Sequence, residues 1–140
     1  MSLKASDLNV GDTHQERIVD NLTRTQLVQY AGTSGDYNPV HTDPPFATEI
    51  AGYPGVFAHG MLTMGMTGKM LTNYVGDGQL TKYGVRFKSQ VWPGDTLDAT
   101  ATVEAIREEG GEHFVDLTIS TVNQDGTEVV AGNATARVDA

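Results

Sequence analysis

Hydrophobic and polar residues alternate along most of the second half of the chain. Over 81–91, tyrosine, valine and phenylalanine occupy one set of positions, and lysine and arginine occupy the other. The alternation recurs in three further segments, 96–107, 113–122 and 127–138. A period of two residues is typical of strands that turn one face to a core. The pattern therefore predicts four long antiparallel strands, and we expect a shorter strand over 12–20.

The first half of the chain carries a clear helix start. Thr23 followed three residues later by Gln26 is a capping box, in which each side chain can bond the other residue's backbone amide. This pattern predicts a helix from Arg24 to about Ala31.

Two further helices are predicted between this helix and the strands. Asp43 followed by Pro44 is typical of a helix start, so a short helix is expected over 44–50. A long helix is expected over 58–75, where methionine, leucine and glycine residues are distributed around the whole helix axis. A helix that is apolar on every side is normally buried. The pattern therefore predicts an α+β fold in which a sheet packs against one buried helix.

Composition narrows the class of protein. The chain has 140 residues, which suits a single domain over 1–140, and its formal net charge is −9. Such acidity argues against general binding to nucleic acid or to an anionic membrane surface. The absence of cysteine excludes disulfides and thiol chemistry. With neither a long apolar run nor a signal pattern at the first residues, a soluble cytoplasmic protein is expected.

One segment combines an acid with an imidazole. Asp36 and His41 lie five residues apart, and Pro39 between them disfavours helical geometry at Asn38, so the segment must be a loop. In a loop, both side chains can point at one volume, which is the geometry that proton transfer needs. The alternative is a simple turn in which Asp36 and Asn38 bond their own backbone.

The same segment resembles a known motif. Residues 34–41 read Ser-Gly-Asp-Tyr-Asn-Pro-Val-His, and Ala47 and His59-Gly60-Met61 follow. This arrangement resembles the hydratase-2 motif of MaoC-like (R)-specific enoyl-CoA hydratases. The run Ala-His-Gly-Met-Leu-Thr-Met-Gly, with Val-Gly-Asp at 75–77 and Val-Arg-Phe at 85–87, is also similar to the catalytic subunit of actinobacterial (3R)-hydroxyacyl-ACP dehydratases.

The resemblance implies a hot-dog fold, in which a long curved sheet wraps round the buried helix. It implies hydration of trans-2-enoyl thioesters of CoA or acyl carrier protein to (R)-3-hydroxyacyl thioesters, or the reverse dehydration. Asp36 and His41 would be the catalytic pair, and Gly60 would bind the thioester carbonyl at the start of the long helix. No cofactor is expected, because the substrate itself carries CoA or phosphopantetheine.

Other residues are expected to support this pair. Asn38 is expected to orient the loop and the water. His59 is expected to help shape the site, with a structural helix cap favoured as its main role. Several hydratases of the family carry a serine on the long helix near the position of Gly68. This chain offers Thr63 and Thr67 nearby instead, which leaves the role of a helix hydroxyl open.

Basic residues stand out in an acidic chain. Lys82, Arg86 and Lys88 alternate along one predicted strand, and Lys69 lies on the long helix. They could attract the phosphates of CoA or of a phosphopantetheine arm, or they could simply form a solvated strand face. The resemblance also implies a dimer whose sheets join edge to edge, either a homodimer or a heterodimer with a second hot-dog subunit.

Two rival functions share this fold and this ligand. In a hot-dog thioesterase, water attacks the thioester carbonyl instead of the β-carbon. In a partner subunit of a heterodimeric dehydratase, the chain would only bind the acyl group, but such a subunit would not need Asp36, His41 and Gly60. A metal site built from Asp36, His41, Asp43 and His59 is possible in residue type but is not expected, since no established metal-ligand spacing is present.

Overall fold

The computed structural model describes residues 2–140. Its principal elements in chain order are β1 (Thr13–Val19), α1 (Arg24–Ser34), α2 (Gly60–Val75), β2 (Leu80–Phe87), β3 (Leu97–Glu109), β4 (Glu112–Val122) and β5 (Glu128–Val138). Short 3₁₀ turns occur at Ala5–Asp7 and Pro39–His41, and a π-helical turn occurs at Phe46–Ile50.

The five strands form one antiparallel sheet in the order β1-β3-β4-β5-β2. All five predicted strands are confirmed, but β2 ends at Phe87 and does not reach 91. The chain leaves the sheet there because the amides of Lys88 and Ser89 both bond the carbonyl of Val129, at 2.8 and 3.4 Å. The carbonyl of Val91 instead accepts from Ala58 at 2.8 Å, which ties this segment to the residues before α2.

Helix α2 contacts β3, β5 and both edge strands, β1 and β2. Edge strands of a flat five-stranded sheet would lie about 19 Å apart at the usual strand spacing, which is too far for one helix to reach both. The sheet must therefore curl round the helix, and the expected α+β hot-dog architecture is confirmed.

The core lies between α2 and the inner face of the sheet. Small and branched residues alternate along the inner faces of β3, β4 and β5 and pack against Met70, Leu71 and Val75 of α2. Leu71 and Val75 are completely buried. Burying a side chain of this size contributes about 1.5–3 kcal/mol, so this face of α2 is a major source of stability.

One prediction for α2 is wrong. The helix is not buried all round, because one face of it is exposed. The residues of this face are spaced four apart along the chain: Met61, Gly65, Lys69 and Asn73. Met61 is 56% exposed, whereas Thr63 and Thr67 are buried. A threonine is close to valine in shape and can occupy a core position, as Thr67 does with its hydroxyl 2.8 Å from Thr121 Oγ1. A prediction from hydrophobicity alone therefore placed Met61 in the core and missed that Thr63 and Thr67 lie on the buried face of the helix.

The capping box at the start of α1 is present as predicted. Thr23 Oγ1 accepts from the amide of Gln26 at 3.1 Å, and Gln26 Oε1 accepts from the amide of Thr23 at 2.9 Å. The helix runs three residues beyond its predicted end and stops at Gly35, whose φ of 74° is left-handed. Such a conformation favours glycine, so Gly35 sets the point at which the Asp36–His41 loop begins.

The short helix predicted over 44–50 is also present, and most of it is the π-helical turn. The carbonyl of Asp43 accepts from Ala47 at 3.0 Å, and Ala51 bonds back to Phe46 at 2.9 Å. Ala47 is buried, so this turn anchors the far end of the Asp36–His41 loop.

Gly132 of β5 allows β2 to approach closely, and its replacement should destabilise the fold. A Cβ there would lie 2.1 Å from the carbonyl oxygen of Gly84 and 2.8 Å from Cα of Val85. Because backbone cannot move aside as a side chain can, Gly132→Ala should lower the free energy of unfolding by about 3 kcal/mol, the upper end of overpacking penalties.

Gly84→Ala is the matched control, since nothing lies within 4 Å of its added Cβ. It should change the free energy of unfolding by less than about 1 kcal/mol. Urea unfolding of both variants measures the difference, and equal midpoints would contradict the close approach.

Candidate active site

The loop from Asp36 to His41 is built from local side-chain bonds. Asp36 Oδ1 accepts from the amide of Asn38 at 3.2 Å, and Asn38 Oδ1 accepts from the amide of Val40 at 3.2 Å. The simple turn is therefore present. It uses only one carboxylate oxygen, and the other oxygen of Asp36 faces His41. Asn38 acts on the loop backbone, as expected for a residue that orients it.

His41 is held by a backbone carbonyl from a distant part of the chain. Its Nδ1 lies 2.6 Å from the carbonyl oxygen of Phe57, and its Nε2 lies 4.0 Å from Asp36 Oδ2. A carbonyl oxygen can only accept, so Nδ1 carries the proton and Nε2 presents a lone pair towards Asp36. The gap of 4.0 Å is too long for a direct hydrogen bond and suits one bridging water.

Burial sets the protonation of this imidazole. His41 is 8% exposed, and desolvation lowers its pKa below the usual value. The neighbouring His59 lowers the pKa further, while the Phe57 carbonyl and the Asp36 carboxylate raise it without cancelling the effect of burial. His41 is therefore neutral near pH 7 and can act as a base.

His59 contacts both Asp36 and His41. Its Nε2 donates to the carbonyl oxygen of Asp36 at 3.1 Å, and its ring stacks on His41 with a centroid distance of 3.8 Å. It occupies the N-cap position of α2, but its side chain makes no capping bond. The role of structural helix cap is therefore not observed, and the ring instead connects the loop to the helix.

The three side chains come close enough together to be tested as a metal site. Ligand atoms of Asp36, His41 and His59 all lie within 4.8 Å of one another. A metal ion needs ring lone pairs that converge on one point about 2.0–2.1 Å from each nitrogen. The lone pairs of the two histidines lie in stacked planes only 25° apart, so they do not converge on a single ion.

The amino end of α2 adjoins this cluster. With His59 not capping, the amides of Gly60 and Met61 find no acceptor among residues 2–140. These amides and the helix dipole favour a partial negative charge at this end. The position where a side chain of Gly60 would lie is filled by the ring of Phe87, at 3.1 Å. Gly60 therefore admits Phe87, and its backbone is the part left for a ligand.

A cavity of about 280 Å³ begins at this helix terminus. Its wall is mainly apolar and is formed by Phe57, Ala58, Gly60, Thr63, Phe87, Lys88, Ser89, Gln90, Val91, Val129 and Val130. Asp36 and His41 lie outside this wall, and the cavity meets them at Phe57, whose carbonyl holds His41. His41 itself borders a separate depression of about 250 Å³ beside Arg24 and Val28.

The predicted basic stripe does not form one cluster around the cavity. Lys88 lines the cavity. Lys82 lies on the sheet face near Asp116, whose pKa it helps to lower, although the Arg107 hydrogen bond is the main cause. Lys69 lies near Glu16 of β1. Desolvation raises the pKa of that carboxyl, but the hydrogen bonds from His14 and Asn73, together with the charges of His14 and Lys69, lower it overall. Arg86 is not part of the cavity wall either, so Lys88 is the one member of the predicted basic set that lines it.

Two features of the site were not found from the sequence. The carbonyl of Phe57 has no sequence signal, because any residue supplies a carbonyl and the contact spans 16 residues. Val129 and Val130 read as ordinary strand residues, yet they line the cavity. Strand alternation predicts which face of a strand is buried, but it does not predict where a cavity remains in the core.

Comparison with known proteins identifies the family of this chain. Residues 7–124 match the family described as the MaoC like domain. The chain belongs to the MaoC-like domain family. The resemblance seen in the motif around Asp36 and His41 is confirmed at the level of the family.

Relatives of this MaoC-like chain include two enzymes. It is 29% identical to the (R)-specific enoyl-CoA hydratase of Aeromonas caviae over 138 residues, which cover 97% of this chain and 99% of that protein. It is 39% identical to 3-hydroxyacyl-thioester dehydratase Y of Mycobacterium tuberculosis over 89 residues, which cover 61% of this chain. The chain matches only 31% of the length of dehydratase Y, and similarly small parts of other long relatives.

The MaoC-like fold is also seen in solved structures. R-hydratase PhaJ1 from Pseudomonas aeruginosa, in its unliganded form, superposes with a TM-score of 0.84 at 26% identity. The superposition covers 99% of this chain and 86% of that chain. In the MaoC-like chain, every helix of residues 2–140 is too short or too polar to cross a membrane.

The lowered pKa of His41 predicts how stability depends on pH. In the unfolded chain this group titrates near 6.5, and in the folded chain it titrates lower. Below pH 6.5 the unfolded state therefore binds more protons, so acidification removes stability until the pH passes below the folded pKa.

His41→Gln removes this titration while leaving the carboxylates unchanged. Wild type should therefore lose more thermal stability than His41→Gln between pH 7 and pH 5, as measured by melting temperature. Parallel curves for the two proteins over this range would show that burial of His41 does not couple to folding.

Proposed function

We propose that this chain catalyses (R)-specific hydration of trans-2-enoyl thioesters to (R)-3-hydroxyacyl thioesters, or the reverse dehydration. The observation that carries the proposal is the 4.0 Å separation of Asp36 Oδ2 and His41 Nε2 beside the free amides of α2. The names of the relatives, a hydratase and a dehydratase, support the same reaction. The chain needs no cofactor of its own, since the thioester carries CoA or phosphopantetheine.

One water held between Asp36 and His41 is the nucleophile. His41 is neutral with its lone pair on Nε2, so it takes a proton as the water oxygen bonds to the β-carbon. The electron pair of the carbon–carbon double bond moves to the α-carbon and the carbonyl oxygen. The proton on Nε2 then passes to the α-carbon, which completes the addition of water and returns His41 to its neutral form.

Asp36 supports this step without being consumed. Its Oδ2 accepts the second hydrogen of the water, which aims the water oxygen at the β-carbon. The carboxylate also stabilises the positive charge that His41 carries between the two proton transfers.

The start of α2 binds the thioester carbonyl oxygen. The charge that develops on the thioester oxygen meets the amide of Gly60 and the positive end of the helix dipole. Mutations that remove one such donor in other enzymes slow catalysis by about 10²–10³-fold. Lys88 in the cavity wall offers a positive charge to the phosphates of the substrate's arm.

A second subunit would complete this site. In one chain the Asp36 side chain is 53% exposed, so water has free access to the pair. Tyr37, Met61 and Phe87 expose large apolar surfaces near the pair and the start of α2. Strand β2 is an edge of the sheet and could pair with another sheet. The partner is a second hot-dog subunit, either another copy of this chain or a different one.

Substitution of the pair should abolish hydration. Purified protein is mixed with crotonyl-CoA and with a longer trans-2-enoyl-CoA, and loss of the conjugated enoyl absorbance is followed. Asp36→Asn and His41→Gln should each lower kcat by at least about 10²-fold, because each removes a group that moves or orients the reacting proton. The product of the wild-type reaction should have the (R) configuration.

Asp77→Asn and His113→Gln are matched controls, since both residues lie away from the pair. They should retain wild-type rates. Release of free CoA instead of hydration would establish a thioesterase and refute the proposal. A wild-type chain that is inactive both alone and on acyl carrier protein substrates would point to an acyl-binding subunit, and light scattering would then give its oligomeric state.

A further inference from the structure

Among residues 2–140, two buried side-chain polar atoms lack a hydrogen-bond partner, and both lie in the first turn of α2 or at its cap. They are His59 Nδ1 and Thr63 Oγ1. Leaving a buried polar group unpaired costs about 1–3 kcal/mol, so such groups are rare in folded proteins. Their occurrence together at one helix terminus calls for a physical reason.

Thr63 has two ordinary ways to satisfy its hydroxyl, and it uses neither. A helical threonine commonly bonds the carbonyl four residues earlier, which here belongs to His59. That carbonyl instead accepts from the amides of Leu62 and Thr63, at 3.1 and 3.5 Å. The other ordinary partner is a side chain of a neighbouring strand. Thr67, one turn later, has such a partner, because its hydroxyl lies 2.8 Å from Thr121 Oγ1.

The Thr63 hydroxyl has a cavity beside it. Thr63 is 1% exposed, yet it lines the same 280 Å³ cavity as Gly60. Residues three apart lie on one face of a helix, and side chains lean towards the amino end, so this hydroxyl lies over the turn that begins at Gly60. Gly60 and Thr63 therefore border one space, and the Thr63 hydroxyl is buried in its wall.

We propose that the Thr63 hydroxyl donates a hydrogen bond to the thioester carbonyl oxygen and is the second donor beside the Gly60 amide. This inference rests on the proposed hydration of enoyl thioesters. The carbonyl oxygen gains negative charge as water adds at the β-carbon, and two donors in a buried wall stabilise that charge better than one. The unpaired hydroxyl in the cavity wall is then the cost of a site prepared for its ligand.

The rival explanation is that Thr63 serves His59. His59 donates from Nε2 to Asp36, so its Nδ1 is an acceptor, and it lies one turn before Thr63. A small movement could bring the hydroxyl to that nitrogen. If the Thr63 hydroxyl bonds His59, its removal would lower the stability of the fold. If the hydroxyl bonds only the substrate, its removal would leave the stability unchanged.

Thr63→Val separates the two explanations, because it keeps the shape of the side chain and removes the hydroxyl. In the enoyl-CoA assay, we expect kcat to fall by about 10–100-fold with little change in KM, since the bond strengthens in the transition state. The melting temperature should stay at the wild-type value or rise. Thr63→Ser keeps the hydroxyl and should recover most of the lost rate.

Thr67→Val is the matched control. It breaks the pair with Thr121, so it should lower the melting temperature while its kcat stays near that of wild type. A Thr63→Val variant with wild-type kcat would overturn the assignment and leave the hydration itself intact. A fall in melting temperature like that of Thr67→Val would overturn it in favour of the bond to His59. A wild-type chain without hydratase activity would overturn both proposals.

Discussion

The site depends on two hydrogen bonds from histidine rings to backbone carbonyls. His41 on the loop donates to Phe57, just before α2, and His59 at the start of α2 donates to Asp36 on the loop. The two bonds run in opposite directions between the same two segments, and the rings stack between them. Loop and helix terminus are therefore fixed as one unit. The bonds also decide the tautomer of each ring, which leaves a lone pair of His41 facing Asp36.

The position of that unit depends on how closely α2 approaches β2. Cβ atoms added at Gly60 and Gly68 would lie 3.1 Å from the ring of Phe87 and 3.2 Å from the ring of Tyr83. Two aromatic rings of the edge strand thus lie where the helix has no side chains. Tyr83 adds a hydrogen bond of 2.7 Å to the carbonyl of Met64, and burial raises its pKa to about 12, so it remains a neutral donor. Glycine in a helix costs about 1 kcal/mol, and this close packing offsets that cost.

The distribution of unpaired polar groups distinguishes the site from the core. Elsewhere along α2, a buried hydroxyl is paired, as Thr67 is with Thr121. At the amino end, three groups find no partner among residues 2–140: the Gly60 amide, the Thr63 hydroxyl and Nδ1 of His59. The first amides of a helix never have an acceptor within the helix, so the Gly60 amide is free for the same reason in any helix start. The Gly60 amide and the Thr63 hydroxyl are donors, which suits them to an oxygen atom, whereas Nδ1 of His59 is an acceptor.

The sequence by itself determined those features that depend on short-range chemistry. The alternation of residues defined four of the five strands, Thr23 and Gln26 defined the start of α1, and Pro39 made the Asp36–His41 segment a loop. The motif also singled out the two side chains that the fold brings within 4.0 Å of each other. These features depend on neighbours only a few residues apart, so local pattern is sufficient to predict them.

Tertiary structure decided the rest because it depends on contacts between distant residues. The curl of the sheet determines which face of α2 is buried. Hydrophobicity favours methionine over threonine for the core, yet the curl buries Thr63 and Thr67 and leaves Met61 exposed. The carbonyl of Phe57 reaches His41 only once both segments have been placed. The cavity exists because Val129 and Val130 meet the start of α2 without filling the space between them. No local pattern predicts such a cavity, because its size depends on how the helix and the strands pack against each other.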